Sequence, residues 1–384
     1  MPDNRVSAEE DAMEAKSILQ IVSGFKPNVD GMGDFARLLG NALWLQGKLR
    51  SHFLAYRTSK TPFDVSEILP NSLSYSAAAS PSAFLKTTAS IRSQNSFDCV
   101  LLHYGPYAYS SIGEPAAFVQ AIEELAKDMK VLVFFHETYA WGMPWKRAFW
   151  TNRQQRKSIG TLLHLATAAF TSNAKYMQQL HDLNTAGRPV TKIPIFSNIG
   201  EPDGLRTLDQ RSKQVVIFGQ LATRIRLYRD HRRDLERVCK KLGVETIVDV
   251  GSGQSPHIPT TLAGVTVRSA GWMDERQLSN LMADSIAGIV GYWPDVWEKS
   301  GVIAAYQAHA LVPILVESWP RRIPAPPYLP YVLAEDIARL PDKDGTVSNA
   351  SLQQIADASH SYYVRNQSVH HCAEVIARST SQLE

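Results

Sequence analysis

Cysteine is scarce in this chain of 384 residues. The three present, Cys99, Cys239 and Cys372, are odd in number and far apart. That excludes a disulfide framework and points to a reducing compartment. No apolar run approaches the roughly 18 residues that a membrane-spanning helix needs. The first residues are polar and lean acidic, unlike the basic and then apolar start of a secretory signal. A cytoplasmic protein is expected. An excess of either charge is also missing: 40 Lys and Arg stand against 37 Asp and Glu, for a net charge of +3. This is short of the basic surplus that marks a nucleic-acid binder, so no nucleic-acid partner is expected. Complete nucleotide fingerprints are absent, both GxGxxG and GxxxxGK[ST]. So are the GxSxG elbow and the CxxC pair. Asp342-Lys343-Asp344 has a D-x-D spacing, but it lies in a polar loop flanked by Pro and Gly and is read as a turn. His370-His371-Cys372 lacks zinc partners at useful spacing. No metal site is expected.

What is present is an apolar share of 44%, ordinary for globular proteins and enough for two cores. Short apolar runs alternate with amphipathic stretches along the whole chain. Strands are expected at 17–23, 53–55, 100–104, 131–137, 168–172 and 192–196. Helices are expected at 35–46, 114–128 and 174–183. The polar segment 198–213 carries Gly and Pro with little apolar periodicity and reads as an interdomain linker. A second series follows, with strands at 215–219, 246–250, 265–267, 286–291 and 313–316 and a helix at 302–310. Residues 351–382 read as helical with polar breaks. Alternating strands and helices imply parallel sheets covered by helices, here two doubly wound α/β domains.

In such domains ligands bind at the carboxyl ends of strands, where helix N-termini offer free N–H groups. Three stretches fall there. The first is the glycine-bearing loop 24–34, which includes Gly31, Met32 and Gly33 and runs from a strand into a helix. The second is a pair of histidines, His103 (beside Tyr104) and His136, each at a strand end. The third is Glu298-Lys299-Ser300-Gly301-Val302, between a strand and an alanine-rich helix. Backbone N–H groups there can hold phosphate, and the carboxylate can hold sugar hydroxyls. The plainer reading of Glu298 is an acid at a helix start, which the helix dipole favours anyway. A fourth stretch is odd in composition. From 138 to 181 there is no Asp or Glu, while Lys146, Arg147, Arg153, Arg156, Lys157 and Lys175 interleave with Trp141, Trp145, Phe149 and Trp150. A stretch of this kind can bind a membrane surface, an anionic acceptor or nucleic acid. The alternative is a solvated helix face with its aromatics packed inward.

The order of these pieces resembles the GT-B glycosyltransferases, in particular the retaining family 4-like enzymes, over about 18–380. Val29-Asp30-Gly31-Met32-Gly33-Asp34 is similar to that family's glycine loop, and Phe135-His136-Glu137 to its histidine strand. Phe170-Thr171-Ser172 resembles its next strand. Phe218-Gly219-Gln220 stands where the family has Gly-Arg, Gly251-Ser252-Gly253 resembles its G-x-G strand end, and Gly271-Trp272-Met273 with Leu278 its base-binding loop. Glu298-Lys299-Ser300-Gly301 resembles the first half of its E-x7-E motif. The second glutamate falls at Tyr306, and the arginine of the phosphate pair at Gln220.

The resemblance implies two Rossmann-like domains facing a central cleft. The acceptor-side domain would be 1–197 completed by a helix at about 360–384, and the donor-side domain 214–350. It implies transfer of a sugar from a UDP- or GDP-linked donor to an acceptor hydroxyl, with retention and without metal or other cofactor, in polysaccharide or glycoconjugate synthesis. Glu298 and His136 would touch the transferred sugar. Donor contacts would come from Gly31, Met32, Gly33, Gln220, Arg224 or Arg226, Gly253, Trp272, Met273, Leu278, Lys299, Ser300, Gly301, Val302 and Tyr306. His103, Tyr104, Trp141, Arg153, Arg156 and Lys157 would face a glycan or lipid-linked acceptor, with peripheral contact to the inner face of a membrane. Two other classes stay open: a catalytically weakened scaffold that binds sugar, nucleotide or a partner protein, and a nucleotide-sugar epimerase.

Overall fold

A computed structural model describes residues 16–25, 31–56, 72–76, 80–317, 330–337, 339–340, 342–343 and 345–381. The chain divides into two compact units, Met1–Pro194 with Val369–Glu384, and Ile195–Ser368. The stretch expected to be a linker, 198–213, falls inside the second unit, where Leu208–Gln210 forms a short 3-10 turn and Ser212 opens a strand.

The first unit is built on strands β1 (Ser17–Val22), β2 (Arg50–Ala55), β3 (Ser74–Ser76), β4 (Cys99–Tyr104), β5 (Val131–Phe135), β6 (Ala168–Thr171) and β7 (Val190–Lys192). They lie in the order β3-β2-β1-β4-β5-β6-β7, every neighbouring pair parallel. Helices cover both faces, so β1, β4 and β5 are apolar almost throughout rather than alternating. The covering helices include α1 (Gly31–Gly47), α2 (Pro81–Gln94), α3 (Ala116–Leu125), α4 (Arg147–Leu165) and α5 (Ala174–His181). Their starts are written locally: Ser80 accepts from the Ala83 N–H and Pro81 follows it in α2, and Asn173 accepts from the Tyr176 N–H in α5.

The second unit repeats the plan. Its strands are β8 (Ser212–Phe218), β9 (Thr246–Val250), β10 (Thr261–Leu262), β11 (Val265–Gly271), β12 (Ser285–Tyr292), β13 (Val312–Glu317) and β14 (Val332–Leu333). The order is β10-β11-β9-β8-β12-β13-β14, parallel except for the β10–β11 hairpin at the edge. Helices α6 (Leu221–Asp230), α7 (Arg232–Leu242), α8 (Glu275–Ala283), α9 (Gly301–Ala308) and α10 (Asn349–Asn366) flank it. Asp274 and Gln277 form a reciprocal capping box at the start of α8, and Gly243, left-handed at φ 62°, ends α7. The terminal helix α11 (Val369–Ser381) belongs to the first unit, where it packs along α1. Cys372, Ala373 and Ile376 are buried, and Gln46 Nε2 lies 3.0 Å from His370 Nδ1. His370 and His371 are thus part of a packing helix, as expected.

In each sheet the chain works outward from its first strand in one direction and then returns to work outward in the other. The reversal falls between β1 and β4 in the first unit and between β8 and β12 in the second. In open α/β sheets that point leaves a crevice at the carboxyl ends of the two strands.

Candidate functional site

In the second unit the reversal point is ringed by strand-end loops that touch one another. The Gly251 N–H donates to the Gly271 carbonyl at 2.8 Å, and the Gly219 N–H to the Val250 carbonyl at 3.2 Å. Gly251 has φ +145°, and a Cβ there would run into the Gly219 carbonyl oxygen, so only glycine lets the loops after β8 and β9 lie this close. A Cβ on Gly219 would lie 3.9 Å from Val302 Cγ2 at the start of α9. Gly271, Gly251, Gly219 and Val302 therefore form one continuous rim, beside which Gln220, Gly253, Trp272 and Met273 follow their strands. Gln220 is exposed at the N-cap of α6, and Trp272 is 72% exposed.

The turn Pro294–Lys299 leads from β12 to the start of α9, beside this rim. Ser300 caps α9 by accepting from the Ile303 N–H at 3.3 Å, and Gly301 sits against Asn198. Glu298 is only 6% exposed. Its Oε1 accepts from the Tyr362 hydroxyl at 3.4 Å, and its main-chain oxygen accepts from the Ile195 N–H at 2.9 Å. Burial first, and then the Glu298 charge, push the Tyr362 hydroxyl pKa up, so Tyr362 stays a donor to the carboxylate. Lys299 is half-buried in the same turn.

Three residues expected on the donor lie elsewhere. The Tyr306 hydroxyl accepts from the Phe218 N–H at 3.0 Å and lies 3.2 Å and 3.3 Å from the carbonyls of Val216 and Ile289. Its ring covers Gly288 of β12 and is fully buried. It ties β8 to β12 from inside the core and does not face a ribose. Leu278 is buried in the same apolar cluster. Arg224 is 2% exposed and ion-paired with Asp249, and donates to the carbonyls of Gly219, Ser252 and Gly253 at 3.0, 2.7 and 3.3 Å. It clamps the strand-end loops and is not available to a phosphate. Arg226 is turned about 200° from it around the helix; the Arg229 hydrogen bond chiefly lowers the Asp230 pKa, and the Arg226 charge adds to it.

In the first unit the reversal point lies under the start of α1. Gly33 abuts the end of β1, where a Cβ would run into the Gly24 carbonyl oxygen. Met32 Sδ would be 3.8 Å from a Cβ on Gly105. Phe35 packs edge-on against His103 and His136, at ring-centre distances of 5.7 and 4.9 Å. Gly31, Met32, Gly33 and His136 are thus brought together at one strand edge. Residues 26–30 of the glycine loop, Val29 and Asp30 among them, lie outside the described residues.

His103 and Tyr104 were expected to face an acceptor, but both are fully buried inside the sheet. The reason is registry: β4 is the central strand beside β1, and its whole length is covered. Trp141, Trp145 and Trp150 stand on the surface, 82%, 76% and 72% exposed, with Arg153 and Lys157 exposed on α4. Their aromatics are therefore not packed inward. Arg156 is half-buried, its guanidinium 4.7 Å from the ring centre of Tyr139. Asp342 and Lys343 pair with Thr346 and Val347 in a small hairpin; Asp344 lies outside the described residues. Among the described residues no group of three or more His, Cys, Asp or Glu is placed to hold a metal, and no helix is long and apolar enough to cross a membrane.

Sequence reasoning missed Tyr362, Asp249 and Gln20. Tyr362 lies on a C-terminal helix and carries no motif. Asp249 and Gln20 had a signal: each is the one polar residue inside a buried apolar run, Ile247–Val250 and Ile18–Val22, the pattern of a buried group that must find a partner.

No protein-family model and no curated protein matches the sequence. Solved structures do. A glycosyltransferase from Rickettsia africae covers 96% of this chain and 98% of its own at TM-score 0.63 and 13% identity. An E. coli trehalose-6-phosphate protein bound with UDP-2-fluoro glucose covers 96% and 99% at TM-score 0.60 and 11% identity. An alpha-glucosyltransferase in complex with UDP and a 13-mer DNA covers 95% and 99% at TM-score 0.60 and 10% identity. With two parallel-dominated seven-stranded sheets, each flanked by helices, this chain has the GT-B fold.

Proposed function

We propose that the protein is a glycosyltransferase that moves a sugar from a nucleotide-sugar donor to an acceptor hydroxyl. The observation that carries this reading is the glycine rim of the second unit beside the Glu298–Val302 turn, at the reversal point of its sheet. As the sugar–oxygen bond breaks, negative charge grows on the leaving nucleoside diphosphate. N–H groups at the start of α9 and the Lys299 ammonium stabilise that charge. Glu298 takes hydroxyls of the transferred sugar. The sequence's resemblance to family 4-like enzymes supports retention without a metal or a protein nucleophile, and the UDP and UDP-sugar of two structures similar in fold favour a uridine donor.

The test is thermal unfolding against a panel of UDP-, GDP- and other nucleotide sugars, followed by product analysis. One donor should stabilise the chain by about 2.7 kcal/mol at a hundredfold excess over its dissociation constant, and a glycoside should form. Free epimer as the product would replace the transferase reading by an epimerase. Gln220, and an Arg224 engaged inside the protein, favour a second reading, a weakened scaffold. It predicts the same stabilisation with no product.

The acceptor side carries a further expectation. Trp141, Trp145, Phe149 and Trp150 project with Lys146, Arg147, Arg153 and Lys157 from a stretch without a single acid. Indoles with scattered basic groups suit the headgroup layer of an anionic bilayer, where each basic residue is worth about 1 kcal/mol. Co-sedimentation with phosphatidylglycerol vesicles should fall about tenfold or more on replacing Arg153 and Lys157 by glutamine, and again on replacing the three tryptophans by serine. Equal partitioning to phosphatidylcholine vesicles would end the proposal of an anionic membrane surface.

A further inference from the structure

The buried Arg224 of α6 reaches two strand-end loops of the second unit at once. Its Nε donates to the Gly219 carbonyl at 3.0 Å, and Nη2 to the carbonyls of Ser252 and Gly253 at 2.7 and 3.3 Å. Nη1 pairs with Asp249 of β9, and the two side chains are 2% and 1% exposed. A guanidinium is a planar fork of N–H donors, so these four acceptors fix its plane. Gly251 closes it in: a Cβ there would lie 2.9 Å from Arg224 Nε and 3.2 Å from Cζ.

Each carbonyl held in this way turns a peptide. A trans peptide is planar, with its C=O and the following N–H pointing in opposite directions. The N–H groups of Gln220, Gly253 and Gln254 therefore point away from the guanidinium. Arg224 lies in the interior, whereas Gln220, Gly253 and Gln254 are exposed. None of the three N–H groups has a partner among the described residues. Gly253, at φ +82°, lies against the first residue of α6, where a Cβ would be 2.8 Å from Leu221 Cδ2. The loops after β8 and β9 thus sit side by side. Their carbonyls are gathered inward on one cation, and their N–H groups are left on the outer side, the arrangement that suits an anion.

We propose that Arg224, held by Asp249, is a positioning residue that presets the N–H groups of Gln220, Gly253 and Gln254 for the diphosphate of a nucleotide. It acts through the main chain and does not touch the ligand. This rests on the reading that a nucleotide donor binds at the glycine rim. It adds that main-chain N–H groups, and not a cationic side chain at position 220, meet the phosphates there.

Inorganic pyrophosphate is the probe, since it carries the charge without base or sugar. It is titrated into the full chain, deuterated and labelled with 15N, and the amide signals are followed. Those of Gln220, Gly253 and Gln254 should move along one binding curve. Absence of binding, or binding that leaves these three unmoved, would overturn the proposal, and this measurement on the unaltered chain decides even if no variant folds. Two variants separate positioning from stability. Arg224→Met with Asp249→Leu removes both charges together and so leaves no buried unpaired acid. Arg224→Lys keeps the ion pair but replaces the fork by a point charge. Both should bind pyrophosphate roughly tenfold more weakly, the equivalent of about one charge-assisted hydrogen bond, in chains that urea unfolding shows to be folded. Parent-like affinity in either folded variant would overturn the proposal. Sugar transfer is assayed apart. Pyrophosphate on these amides without transfer keeps the cradle and removes the transferase reading, and transfer by a chain whose three amides ignore pyrophosphate does the reverse.

Discussion

Glu298→Gln is expected to lower sugar transfer on the order of a hundredfold or more while changing folding stability by about 1 kcal/mol. The substitution keeps size and shape, and the amide oxygen can still accept from Tyr362, which holds the side chain from one side. It removes the charge. Hydroxyls of a bound sugar would make charge-assisted bonds to the carboxylate and would bind the amide more weakly. The plain capping role leads to a different result. An acid that serves only the helix start contributes about 0.3–1 kcal/mol to stability and nothing to rate. Turnover and urea unfolding on the same preparation separate the two. Full transfer by the folded variant, or a loss of transfer that merely tracks a loss of folded protein, would sink the assignment.

The fold was legible because its signals are local and repeated. Parallel strands covered on both faces must be largely apolar runs, and β1, β4, β5, β12 and the Val215–Phe218 half of β8 are such runs. The positions of the site loops were legible for the same reason, since each follows a strand. What failed was the direction of side chains. Arg224 and Tyr306 were assigned by their distance along the chain from a motif, and spacing does not say whether a helix residue faces a ligand or the sheet. Arg224 faces Asp249, a lone acid in a buried strand, and only that pairing makes its burial tolerable. His103 lies one residue before the end of its strand, yet Phe35 of α1 and His136 cover it. The exposed tryptophans went the other way. Composition alone left them either inward or outward, and the exposure of 141–150 decides for outward.

Tyr306→Glu is the sharper test, because it restores the residue that the family pattern has at this position. If position 306 faced a ribose, glutamate would be tolerated to within about 0.5 kcal/mol and would tighten nucleotide binding. The structure requires the opposite. The Tyr306 ring fills the space over Gly288, a position kept free of a side chain because a Cβ would strike the ring. Its hydroxyl satisfies the Phe218 N–H and sits among main-chain carbonyls, and its neighbours are Val216, Val248 and Leu315. Burial pushes the hydroxyl pKa up, so it stays neutral. A glutamate is shorter, leaves a cavity above Gly288 and brings an acid among carbonyl oxygens that cannot donate to it. Loss of a buried aromatic costs about 3–5 kcal/mol, and an ionised acid buried beside carbonyl oxygens adds to that. The sum approaches the whole stability of a typical domain, about 5–15 kcal/mol, so the second unit should be largely unfolded or open to proteolysis at room temperature. Tyr306→Phe, which keeps the ring and loses only the oxygen, should cost about 1–3 kcal/mol by leaving the Phe218 N–H without its acceptor. Urea unfolding of the two variants checks the order, and nucleotide binding checks the site: a Tyr306→Glu chain as stable as the parent, with higher affinity for a nucleoside diphosphate, would return Tyr306 to the ligand.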